Sequence, residues 1–131
     1  MAALKLIEIT ERAKFVRYGD KLVMRYDLSK LESQQDIDKV FNRFIMTVEK
    51  MPEKSMLCLL DLRGLGQKMV SGKVMGRTTQ RIAPYFKATA ILADDETVTD
   101  AIKTLRAELE VYLPLFKKEE PAIEWLTSVE I

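Results

Sequence analysis

A chain of 131 residues, 47% of them hydrophobic and with a net charge of +1, is sized for one domain that buries roughly two thirds of its unfolded surface. That charge carries no bulk attraction to nucleic acid or to a membrane. The chain has no histidine and one cysteine, Cys58, which removes Ser-His and Cys-His nucleophile pairs, histidine bases and histidine metal ligands, and leaves almost no route to zinc.

One cysteine permits no disulfide framework within a chain, and this usage fits a reducing compartment. No apolar run approaches the roughly eighteen residues of a membrane span, and the first residues show no signal-peptide pattern. The expected setting is a bacterial or archaeal cytoplasm.

The first ten or so residues include Leu4, Leu6, Ile7 and Ile9 and read as a short strand. Phe15–Tyr18 and Lys21–Asp27 follow, two β-rich segments joined by Gly19-Asp20. A two-residue connection led by glycine is a hairpin signal, because primed turns need positive φ. Within the second segment Leu22, Met24 and Tyr26 point one way while Val23 and Arg25 point the other, which places the hairpin toward one edge of a sheet.

Ser33-Gln34-Gln35-Asp36 resembles a capping box, with a hydroxyl for the first free amides and a carboxylate in the first turn. The helix it opens carries Ile37, Val40, Phe41, Phe44, Ile45 and Val48, an apolar stripe at helical spacing. Pro52 ends it.

Met56–Leu60 is an unbroken apolar run between Pro52 and Gly64, so it reads as a strand buried on both faces in the middle of the sheet. Asp61-Leu62-Arg63-Gly64 falls at its carboxyl end, where open α/β sheets gather their functional loops. We refer to this end as the working edge. Hairpin strand, crossover helix and buried strand make a βαβ unit.

Met69–Ala83 reads as a second helix, despite Gly72 and Gly76 inside it, and Pro84 stops it. Phe86–Leu92 is the next strand. A third helix begins near Thr97 with Val98, Ala101, Ile102 and Leu105 on its apolar side. Tyr112–Phe116 is a short edge strand that tolerates Pro114. A fourth helix, with Pro121 in its first turn, carries Ala122, Ile123, Trp125 and Leu126. The expected architecture is therefore a single α/β domain over residues 1–131, a mixed sheet of about five strands with four helices.

In GDKLVMRYDLSKL before the first of these helices, PEKSMLCLLDLRGL at the central strand and LFKKEEPAIEWL at the end, the chain resembles the STAS-like family (sulfate transporter and anti-sigma factor antagonist) in its small stand-alone bacterial version. The resemblance covers about Gly19 to Leu126. It implies a fold shared with CRAL-TRIO-type lipid-transfer domains. It also implies a phosphoacceptor serine, followed by glycine, at the start of the helix after the central strand, which falls on Ser71-Gly72. Met69 and Val70 stand where the family pattern has its aspartate and first serine. The competing reading of Ser71 is a helix-start serine that caps or faces solvent.

Gly66 to Lys73 after a buried strand invites comparison with a phosphate-binding loop, but five residues separate its glycines and Val74 follows the lysine, so the motif fails. No nucleotide, metal or other cofactor is expected.

Charge is distributed unevenly. Between Leu62 and Leu92 there are six basic residues (Arg63, Lys68, Lys73, Arg77, Arg81, Lys87) and no acidic ones; from Ala93 onward there are ten acidic and four basic. Lys73, Arg77 and Arg81 recur every four residues on one helix face. Such a row suits a phosphate, an anionic headgroup or an acidic protein surface. The plainer reading is a solvated face whose long stems cover apolar surface.

Asp61 is either a functional carboxylate or, as we favour, a cap for the loop amides at the strand end. Cys58, Trp125 and the many methionines read as core. The leading functional expectation is a non-catalytic regulatory or protein-interaction module. It would act through the loop carrying Asp61, Arg63, Gly64, Gly66 and Lys68, and through the basic face of the second helix. The alternative is a carrier of a small apolar or lipid-like anion. A protein partner is expected and a homodimer stays open; nucleic acid and a membrane span are not expected.

Overall fold

The computed structural model describes residues 5–31, 33–64, 81–93 and 113–129. They form a five-stranded mixed sheet with strands in chain order: β1 (Ala13–Tyr18), β2 (Lys21–Asp27), β3 (Met56–Asp61), β4 (Phe86–Leu92) and β5 (Leu115–Phe116). β1 and β2 are antiparallel, and β2 through β5 are parallel. Three helices lie among the described residues: α1 (Leu6–Arg12), α2 (Gln34–Val48) and α3 (Glu119–Ser128).

The hairpin forms as its sequence requires. Gly19 takes φ +65° in the turn, a value open to glycine at no steric cost. The β2 alternation then sorts side chains between two cores, Met24 and Tyr26 on one face and Val23 on the other. β3 is buried at all six positions and is the middle strand, as a continuous apolar run predicts.

α2 begins where Ser33 Oγ accepts the Asp36 amide at 3.1 Å. Its stripe of Ile37, Val40, Phe44, Ile45 and Val48 is buried against one face of the sheet, with Phe41 half-buried beside it. Phe44 is the centre of that layer, stacked on Tyr26 at 4.0 Å and on Phe86 at 5.9 Å between ring centroids. The opposite face packs Val23, Leu57, Leu59, Ala90 and Leu92 against Ala122 and Leu126 of α3.

Two expectations change. The first residues form α1, not a strand, and α1 buries none of its side chains. Its Arg12 ties it down, with Nη1 donating to the carbonyls of Asp27 at 3.3 Å and Ser29 at 2.8 Å. The last strand is confined to Leu115–Phe116; Pro114 has no amide to donate, and its carbonyl accepts from the Ile91 amide at 3.0 Å. Of the four helices expected, the first and last are α2 and α3. The others, Met69–Ala83 and the one from Thr97, lie outside the described residues except for the end of the former, where Arg81 and Ile82 are helical and a 3₁₀ turn over Ala83–Tyr85 leads into β4.

Candidate functional site: twin aspartate turns at the working edge

β2 and β3 end side by side on the same two residues, Asp27-Leu28 and Asp61-Leu62, with Asp27 and Asp61 paired in register. Each aspartate folds its own turn. Asp27 Oδ1 accepts the Ser29 amide at 2.8 Å, and Asp61 Oδ1 accepts the Arg63 amide at 3.1 Å. A short carboxylate reaching the amide two residues on replaces the ladder bond lost when the strand stops.

The two turns also bond to each other, Leu28 N–H to the Asp61 carbonyl at 2.9 Å and Lys30 N–H to the Arg63 carbonyl at 3.1 Å. Leu28 and Leu62 are buried beneath them. Gly64 closes the second turn at φ +74°, and a Cβ there would come within 3.0 Å of Lys30 Cγ. Both the conformation and the closeness of the Lys30 side chain favour glycine at this position.

Asp61 is the buried charge of the site, 2% exposed. Arg63 grips it with a fork, Nε to Oδ1 at 3.0 Å and Nη2 to Oδ2 at 2.9 Å. A carboxylate removed from water at this level needs such paired, charge-assisted bonds to remain stable. Arg25, on the second face of β2, adds a cation 3.8 Å from Oδ2 and forms an ion pair with Glu119 at the start of α3. Four charges from β2, β3, the loop and α3 thus meet as two acids and two arginines, without net excess.

Arg63 is in this way positioned to hold the turn, with its side chain 34% exposed. Arg81, grouped with it by sequence, is elsewhere. It pairs with Glu49 beyond the end of α2 at 2.6 Å, beside the amino ends of β3 and β4. The length of β4 separates the two arginines by roughly 20 Å at strand rise. The exposed pair with Glu49 is worth at most about 1 kcal/mol. Gly66, Lys68, Ser71, Lys73 and Arg77 lie outside the described residues.

Arg25 and Glu119 were not singled out from sequence. The available signal was the β2 alternation, which puts a charged residue on the same face as Val23; its partner is distant in the chain.

The surroundings are acidic and apolar. A depression of about 370 Å³ is lined by Tyr18, Glu119, Glu120, Ile123 and Glu124. Another, of about 300 Å³, is lined by Ile7, Glu8, Glu11, Arg12 and Asp27. Leu6 and Ile7 of α1 are 74% and 72% exposed.

Deeper in the sheet, burial pushes the Cys58 thiol up to about 12, a hydrogen bond with Thr89 acting the other way. That thiol is a core group, not a nucleophile. Tyr26 Oη is buried without a hydrogen-bond partner among the described residues, and its pKa is raised well above the usual value by burial, with smaller contributions from Cys58 and Asp38. Among the described residues no cluster of potential ligands could hold a metal ion, and no helix is long and apolar enough to cross a membrane. No protein-family model, curated protein or solved structure matches the chain.

Proposed function

We propose that this protein is a non-catalytic regulatory or protein-interaction module of STAS-like type, working in the cytoplasm through the loop after β3 and the basic face of the helix that follows. The observation that carries the reading is the pairing at the working edge. Its buried carboxylate is spent on the fold, held by Arg63 and by a loop amide, while Leu6 and Ile7 stand exposed on α1, with Ile7 lining the depression that Asp27 also lines. Apolar side chains displayed beside ordered, charge-paired turns suit contact with another protein better than chemistry on a substrate.

The glutamates lining both depressions would repel a lipid-like anion, which weighs against the carrier alternative at these places. The test is capture of partners from the protein's own cell extract, by wild type and by a variant with Lys73, Arg77 and Arg81 all changed to glutamine, alongside native mass spectrometry of the purified protein. A partner retained by wild type and lost by the triple variant supports the module. A co-purifying small mass that is released on denaturation replaces it with the carrier, and a partner held equally by both proteins removes the basic face from the proposal.

A further inference from the structure

We propose that Asp61 couples the loop after β3 to the seating of α3, with Arg25 as the moving part. The charges form a chain in which Arg63 grips Asp61, Asp61 attracts Arg25, and Arg25 is shared with Glu119. The two carboxylates are not equivalent. Asp61 is sealed from water, while the Glu119 side chain is 38% exposed. A buried carboxylate deprived of its cation pays the larger desolvation cost, so Arg25 follows Asp61 whenever Arg63 is withdrawn.

That movement is short. Arg25 Nη2 is 3.8 Å from Asp61 Oδ2, about 1 Å beyond a charge-assisted hydrogen bond. Closing the gap draws the guanidinium off Glu119, which water can then solvate. α3 thereby loses the ion pair at its first residue. That end has less to hold it than the rest of the helix, because Lys118 supplies no side-chain cap and the packed residues Ala122, Ile123, Trp125 and Leu126 all lie beyond its first turn. Its far end stays tied by Lys21 Nζ, which donates to the Val129 carbonyl. Whatever competes for Arg63 at the loop therefore loosens the start of α3 on the other side of Asp61, and linkage requires the reverse as well.

The coupling belongs to the free protein and stands or falls without any partner at the loop. It is tested by amide hydrogen exchange and arginine Nε–H signals in NMR spectra of wild type, R63Q, E119Q and the double variant. R63Q is expected to speed exchange of the Ala122–Leu126 amides about fivefold relative to amides of β3, which report global opening. In the E119Q background the same substitution is expected to add nothing. Unchanged α3 exchange in R63Q overturns the proposal, as does a full fivefold effect persisting in the double variant. Should R63Q fail to fold, E119Q decides alone: faster solvent exchange of the Arg63 Nε–H supports the coupling, and an unchanged rate overturns it.

Discussion

Among the described residues, the two helices that cover the sheet are held in opposite ways. α2 buries five side chains along one stripe and is centred on Phe44, whose ring stacks on Tyr26 and Phe86; the Ser33 hydroxyl caps its start. α3 buries two, Ala122 and Leu126, and is fastened at its ends by Arg25 to Glu119 and by Lys21 to the Val129 carbonyl. Apolar burial is non-directional and resists modest rearrangement, whereas a pair of charges holds one geometry and answers to salt and to competing ions. Among the described residues the difference sets a fixed face against an adjustable one.

The largest expected effect is on the fixed face. Phe44→Ala empties the centre of the stack and should lower stability by about 3–5 kcal/mol in urea or guanidinium titration. Leu126→Ala should cost less, about 2–3 kcal/mol, because α3 can settle onto the smaller side chain. Equal losses would mean that the two helices are seated alike.

Cys58, on the α2 face, gives a pH test. Its folded pKa lies above that of the unfolded chain, so between the two values the unfolded state releases a proton that the folded state retains. Stability is therefore full below pH 9 and is lost as pH rises toward 12, by an amount on the order of a few kcal/mol. Cys58→Ala should flatten the part of that slope below pH 10, where Tyr26 does not yet contribute, in chemical denaturation followed at pH 8 to 10.

Tyr26→Phe removes a buried hydroxyl without a partner among the described residues and keeps the ring stack, so stability should rise by up to about 1 kcal/mol in the same assay. The smallest effect separates the faces most directly. Raising salt from about 0.05 to about 0.5 M, which shortens the Debye length roughly threefold, should speed amide exchange in α3 about twofold and leave α2 unchanged.

These differences also explain what was legible in the sequence. The hairpin, α2, β3, β4 and α3 follow from turn residues, caps and hydrophobic period, because each of these elements turns at least one side toward a core. α1 defeats the same reasoning. Leu6, Ile7 and Ile9 look like a strand that seeks a core, yet the helix they form buries nothing and is fixed by Arg12 on the carbonyls of Asp27 and Ser29. The Asp61 turn could be read from an aspartate at a strand end followed by arginine and glycine. The same Asp-Leu pair stands at 27–28 and at 61–62, and the repeat marks the twin turn. Arg25 and Glu119 could not be paired by any local pattern, since their meeting depends on α3, from far along the chain, packing on the same face of the sheet as Arg25. Arg63 and Arg81 shared a run of basic residues, and the fold sends them to opposite ends of a strand.

The order of the strands has a consequence for how the protein is made. Each strand lies beside the one that precedes it in the chain, from β1 through β5. During synthesis every new strand emerges to find its partner already delivered, and only the outer edge of the newest strand waits for a segment still to be made. Such a sheet can be laid down in a single direction, with the hairpin as its template and β3 receiving its first neighbour before its second exists. The exposed template at each stage is one strand wide, which limits the time any edge is free to pair wrongly.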